Sequence, residues 1–544
     1  MDMRRMFLFV IFTFSLVVLW SEWTRQNQPV QPIEAASTNL TAPPTVSAAL
    51  PKEIAPSTPS KALKIPTGKK VIVKTDTFKV EINTAGGNVD RVELLQHKTA
   101  NDQNRSIVLL QNQDNLIYIA QSGLLGQGLP THNAEYQSEA DEFFLDEGQD
   151  NLVVKLIALG IEGARVTKIY TFHKGSYLVN VDFEIENTSS SAITPSAYFQ
   201  LVRDSTPPEG ASSFVPTYTG AAVYTEQEKF QKIEFTDIEK NKIKLPKNTN
   251  DGWVGMVQHY FVSAWLPKGN SPREFYAKHL DGNLYSVGVI LPTQIIEPKQ
   301  IVRIEAPLYV GPAQTKLDDI APGLGLTVDY GIFTVFATPL FWLMNFLNNW
   351  VNNWGVAIVL LTVLIKLAFF PLSATSYRSM AKMRVVAPKL EKIKKQYGDD
   401  RERLNKAMMD LYKTEKINPL GGCLPVLIQI PVFIGLYWAI LESVELRHAP
   451  FIGWITDLSA TDPYYILPII MGVSMLVQSK LNPVPADPIQ AKIMQIMPIA
   501  FSVVFFFFPA GLVLYSIVNN ILSIAQQWYI THGEEAAQKG ESKA

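Results

Sequence analysis

After residue 330 the chain runs through five long apolar segments, roughly Ile332 to Leu347, Trp354 to Leu372, Gly421 to Leu441, Tyr465 to Leu481 and Ile493 to Tyr529. Segments of this length and apolarity are expected in a bilayer. The last has room for two spans and is interrupted by Pro509-Ala510-Gly511, so six apolar segments follow residue 330. Averages conceal the division, since mean hydropathy is +0.07 and net charge −2 over 544 residues. A soluble front part is fused to a membrane part, and the length allows more than one core.

At the N-terminus Arg4 and Arg5 precede an apolar run from Met6 to Trp20. Ser21-Glu22-Trp23-Thr24-Arg25 follows where a cleaved signal peptide would show small residues, so residues 1–25 read as an uncleaved signal anchor with a cytoplasmic start. Residues 26–69, rich in Pro, Ala, Thr and Ser, read as a flexible linker. Beyond it Phe78, Val80 and Ile82 alternate with polar residues before Gly86-Gly87, and Tyr177, Val179, Val181, Phe183 and Ile185 do the same. That period of two predicts a mostly β domain over 70–325, folded as a sandwich.

Charge sets the topology. Between Leu372 and Pro419 stand twelve Lys and Arg against six Asp and Glu, which makes this insert cytoplasmic. With a cytoplasmic N-terminus, an even number of spans must separate the two, so only one of the first two segments after residue 330 crosses. Pro339 and the polar run Asn348-Asn349 suit 330–350 to an amphipathic helix on the outer interface. Six transmembrane helices result, with the β domain outside and both termini inside. Tyr465 to Leu481 and Ile493 to Phe508 are short for a full crossing, which either flanking residues complete or local thinning of the bilayer accommodates.

Lys366 lies inside the apolar run between Gly355 and Pro371. An ionisable residue at that depth costs about 2.5–3.5 kcal/mol unless it meets water or a partner, which marks it as a functional candidate. The alternative is a stem that snorkels past Pro371 to the cytoplasmic headgroups. Thr362 is one turn away, and the last segment supplies Tyr515, Ser516, Asn519, Asn520, Ser523, Gln526 and Gln527 at helical repeats. These are either helix–helix glue or the wall of a wet groove shared with Lys366. No carboxylate lies in the central part of any span, so an acidic or polar passenger would be the attracted partner.

Within the insert, Met380, Met383, Val386, Leu390, Ile393 and Tyr397 recur at helical spacing, Gly398-Asp399-Asp400 supplies a turn, and Leu404, Met408, Leu411 and Tyr412 continue the stripe. A cytoplasmic helical hairpin over 375–418 is predicted. The stripe either packs the hairpin on itself or offers Met380, Met383 and Met408 to varied apolar segments. Cations such as Lys389 and Lys392 would attract anionic lipid or ribosomal RNA, and charge alone does not choose.

Catalytic signatures are lacking. The seven histidines show no ligand spacing, Cys423 is the sole cysteine, and HExxH, GxSxG and GxxxxGK[ST] patterns do not occur. A transporter using Lys366 as an ion site would be expected to show repeated halves, and none is visible. An exported carbohydrate-active enzyme would need paired carboxylates in a cleft of the β domain, and so many spans would be an extravagant anchor.

Three stretches carry a family resemblance: SMAKMRVVAPKLEKIKKQYGDDRERLNKAMMDLYKTEKINPLGGCLPVLIQIPVF, ESVELRHAPFIGWITDLSATDPYYILPIIMG and FPAGLVLYSIVNN. In this order they closely resemble the YidC-type membrane protein insertases, over about Trp354 to Gln527. The N-terminal anchor and large exported domain look like the Gram-negative form, whose domain is a β-supersandwich. The resemblance implies a five-helix insertase core, here 354–530 followed by a cytoplasmic tail, 531–544, in the bacterial inner membrane. It implies a hydrophilic groove open to the cytoplasm, along which nascent membrane proteins slide, alone or with the Sec translocon, the ribosome and anionic lipids being further contacts. Neither nucleotide nor metal is implied, so no cofactor and no enzyme activity is expected. The family's groove cation falls on Lys366, where arginine is usual; Thr362 and Tyr515 match positions facing the groove or passenger path, and the aromatic pair of the last helix is reduced to Tyr515-Ser516, with Asn519 a turn further on. Lysine, a point charge able to lose its proton when buried, is no equivalent of arginine.

Overall fold

The computed structural model describes residues 66–541 except 100–101, 103, 114–115, 210–216, 247–248, 293–294, 399, 416–423 and 483–487. The signal anchor and nearly all of the linker therefore lie outside the described residues.

Strands from Lys70–Lys74 to Leu308–Pro312 form a sheet of nine strands and a sheet of ten. Alternation is the cause: Phe78, Val80 and Ile82, like Val179, Val181, Phe183 and Ile185, are all buried between the sheets. Phe199 of the first sheet meets Phe183 and Trp265 of the second at ring distances of 5.9 and 5.0 Å, and the Trp265 indole donates to the Gln200 carbonyl at 3.0 Å. At the turn after Phe78–Asn83, Gly86 has φ +88°, and a Cβ there would stand 1.9 Å from the His132 carbonyl oxygen. Only glycine fits.

Lys168 is the anomaly of this core. It is fully buried on the second sheet, and its Nζ donates to the carbonyls of Gly86 (3.0 Å), Gly87 (2.9 Å) and Ser122 (3.1 Å) of the first, with the Phe183 ring 5.2 Å away. The ammonium has three donors and the site offers three acceptors, which favours the charged form. Burial opposes it and pushes the lysine down to about 7.

The helices follow: α1 (Thr334–Val351), α2 (Trp354–Ala368), α3 (Phe370–Tyr397), α4 (Arg401–Thr414), α5 (Leu424–Glu442), α6 (Ile466–Leu481), α7 (Pro488–Phe505) and α8 (Ala510–Glu541). Asn353 caps α2 by accepting from the Val356 N–H at 3.0 Å, and Asp400 caps α4 by accepting from Arg403 N–H at 3.1 Å. The break before Pro509 separates α7 from α8 as the sequence suggests. Three boundaries differ. A 66° bend at Phe369 ends α2 at Ala368, four residues before Leu372, because Pro371 sits in the first turn of a new helix rather than continuing the old one. The hairpin accordingly starts at Phe370, and α8 continues unbroken into the expected tail, to Glu541. Among the described residues, Gly331–Val351 is the one unbroken helix with the length and apolarity of a full span, where the charge pattern of the sequence predicts an interfacial helix.

A second apolar core runs from Trp253 and Val262 of the β domain through Leu324 and Tyr330 to Ile358, Ile440 and Val513 of the helices.

Candidate functional site

Lys366 sits half-buried near the C-terminal end of α2, where the helix packs against α8. Its Nζ donates to the Ser523 hydroxyl at 2.6 Å, and Ser523 in turn donates to the Asn519 carbonyl at 2.7 Å. The Asn519 side-chain oxygen accepts from the Gln429 amide of α5. One turn beyond Ser523, the Gln526 amide donates to the Phe370 carbonyl at 3.3 Å, tying α8 to the base of α3. The result is a polar layer spread over three helices, with Lys366, Gln429 and Asn519 half-buried. Among the described residues Lys366 has no ion-pair partner; its one hydrogen bond is to a neutral hydroxyl.

Thr362, one turn from Lys366, is fully buried and donates to the Ile358 carbonyl at 2.7 Å. Tyr515 is 1% exposed, its ring 6.2 Å from Phe433 and its hydroxyl without a hydrogen-bond partner among the described residues. A buried hydroxyl left open is rare. Ser516 is buried and donates to Leu512 of its own helix at 2.8 Å. The polar residues of α8 thus divide. Asn519 and Ser523 join Lys366, whereas the Asn520 amide meets Ser474 at 3.2 Å, and that of Gln527 meets the Leu481 carbonyl at 3.0 Å, both on α6. For Asn520 and Gln527 the helix–helix alternative describes what they do. Gln429 escaped the sequence reading, although an amide beside Pro431 in an otherwise apolar run was its signal.

In the hairpin, Met383 and Met408 pack on Val386 and Leu390 together with Leu411 and Tyr412, and Met380 packs on Ala374, Tyr377 and Ile530. Most of the stripe is turned inward. Met409, at 52% exposure, and Val385, at 53%, lie off the stripe and are exposed. Lys389 pairs with Glu415 at 2.6 Å, while Lys392 is exposed.

Comparison with known proteins covers nearly all of the described chain. A model of the YidC periplasmic domain matches residues 70–343, and one of the 60Kd inner membrane protein matches 346–538. The membrane protein insertase YidC of Nitrosospira multiformis is 52% identical, spanning 100% of this chain and 99% of its own. That of Methylobacillus flagellatus is 53% identical over the whole of both chains. A solved active YidC insertase, with its first transmembrane domain resolved, is 20% identical and superposes with a TM-score of 0.40, covering 86% of this chain and 93% of its own.

Proposed function

We propose, for a chain that belongs to the YidC family of membrane protein insertases, that the Lys366 layer is the path of the passenger. The protein inserts membrane proteins into the inner membrane and carries its β domain in the periplasm. Its work is non-covalent: a groove that lowers the barrier for a polar flank to enter the bilayer.

The observation that carries the groove is the composition of the layer. Lys366, Ser523, Asn519 and Gln429 place one cation among neutral hydrogen-bonding groups, and among the described residues no carboxylate pairs with it. An acidic or polar flank supplies what is lacking. The buried Tyr515 hydroxyl, near the Gln429 side chain, adds a further polar group on the same side of α8.

In the proposed topology α2, α5, α6, α7 and α8 cross together with the N-terminal anchor, both termini are cytoplasmic, and α1 lies on the outer interface. Trp342, Phe346 and Trp350 form an exposed aromatic stripe along α1, suited to that depth. Thinning of the bilayer is favoured by α6. Its 16 residues rise about 24 Å, short of the ~30 Å hydrocarbon core. Flanking residues do not extend it, because Tyr465 has φ +56° and Asn482 is extended. The cations of α3 and α4 would face anionic lipid and the ribosome, with the Sec translocon a further partner.

Photo-crosslinkers at positions 366 and 519 are expected to capture a stalled nascent membrane protein far more strongly than one at Ile470, an exposed position on α6. Equal capture from all three positions would overturn the groove.

A further inference from the structure

Where the β domain meets the segment leaving α5, a cavity of about 200 Å³ is lined by Gln96, His97, Lys98, Val444, Arg447 and His448. The first three end one strand, Asn88–Lys98; the last three follow within six residues of Glu442. Four of the six side chains are basic in type and, among the described residues, none lining the cavity is a carboxylate. Its volume matches about seven waters.

Each basic group is held differently. Arg447 has its guanidinium over the Tyr260 and Phe261 rings, 5.7 and 5.9 Å from their centroids, and among the described residues its side chain makes no hydrogen bond or ion pair. Its nearest charge compensation is indirect, through the fields of Asp457 and Glu209. Lys98 Nζ donates to Ser106 Oγ at 3.1 Å. His448 donates from Nε2 to the Lys98 carbonyl at 3.3 Å, joining the two walls, while its Nδ1 stands 3.2 Å from Asp457. The backbone at His448 has φ +57°, an uncommon conformation for a side-chain-bearing residue. His97 packs edge-on to Phe261 and is pushed down to about 4, first by burial and then by the charges of Arg447 and His448. With His97 neutral and His448 beside Asp457, the positive charge of the cavity comes from Arg447 and Lys98, and an unspent guanidinium in a partly desolvated space binds an anion well.

We propose that this cavity binds the phosphodiester of an outer-leaflet phospholipid headgroup, held by Arg447 with Lys98 and His448, and that the lipid so bound joins the β domain to the membrane helices. The choice of a lipid follows from position. Arg447 lies five residues beyond the end of α5, which the reading above places at the outer face, and the headgroup zone begins where the hydrocarbon ends. The inference rests on that topology.

The test uses the full chain, stripped of lipid in maltoside micelles, with binding of dihexanoyl-phosphatidylglycerol followed by native mass spectrometry and inorganic phosphate as a parallel ligand. One lipid is expected to bind saturably, with Arg447→Gln weakening it at least tenfold and Lys98→Gln severalfold. His448→Asn, whose side chain tolerates the left-handed backbone, provides a second variant that keeps the fold and weakens binding. Unchanged affinity in Arg447→Gln and His448→Asn would overturn the site. Binding of inorganic phosphate in place of the lipid would overturn the lipid assignment. The topology is read separately, by labelling Ile452→Cys in a Cys423→Ser background with an impermeant maleimide from outside the cell. Failure there would sink the placement of α5 without touching the binding result.

Discussion

Lys168 makes the pH dependence of the β domain a direct measure of whether burial or hydrogen bonding wins at a buried ammonium. Its ordinary value is 10.5, and burial brings it to about 7 in the fold. Between those values the unfolded chain holds a proton that the folded one has shed, so stability rises with pH across this window and is lowest below about 7. The full difference is about 5 kcal/mol, from some 3.5 pH units at about 1.4 kcal/mol each. From pH 7 to 9 the gain is about 2 kcal/mol, or roughly 4–8 °C in melting temperature for a domain of this size. Lys168→Met removes the titration. It also leaves the carbonyls of Gly86 and Ser122 without this donor, at about 1–3 kcal/mol each, while Gly87 keeps the Tyr170 hydroxyl. Near pH 6 the two losses and the relief of the buried charge nearly cancel, so variant and wild type should melt close together, and wild type should pull ahead above pH 8. Calorimetry of the full chain in micelles, taken as wild type minus variant at each pH, isolates this lysine above pH 6, because its neighbour His132, which burial and then the Lys168 charge push down to about 4, titrates below that range. Parallel curves would mean instead that the three carbonyls and the aromatic faces hold the ammonium charged throughout.

Lys366→Arg should preserve insertion in a depletion strain, whereas Lys366→Ala should impair it, most for passengers with acidic flanks; equal growth and insertion from all three would reduce the lysine to a snorkelling residue. Asp400→Ala removes the cap of α4 and should cost the hairpin about 1 kcal/mol, seen as faster hydrogen exchange over 401–404. Gly86→Ala combines a positive φ with the His132 contact, so the β domain should lose more than about 1 kcal/mol and melt measurably lower; an unchanged melting temperature would show that the turn relaxes.

How far the sequence could be read depended on whether one periodicity decided the matter. Phe78, Val80 and Ile82 needed only alternation. Lys168 obeys the same rule unnoticed: Ala164, Val166, Tyr170 and Phe172 point inward at every second position, and position 168 falls in their register. A lysine in an inward register was the signal, overridden by the habit of placing lysine in water. On α8 the periodicity correctly grouped the polar residues, yet only the positions of α2 and α6 decided that Ser523 serves Lys366 while Asn520 and Gln527 bind a neighbour. The cavity at Arg447 joins residues some 350 positions apart, which no local pattern encodes.

The 66° bend at Phe369 has a mechanical consequence. A single residue separates the helix that holds Lys366 from α3, whose 28 residues form an arm about 42 Å long. Pivoting that arm by 10° would sweep its tip through about 7 Å, while a lysine three residues from the fulcrum would travel less than about 1 Å. A load on the far end of the arm would thus be geared down before it reaches the charge, with Met380 against Ile530 of α8 bracing the near end.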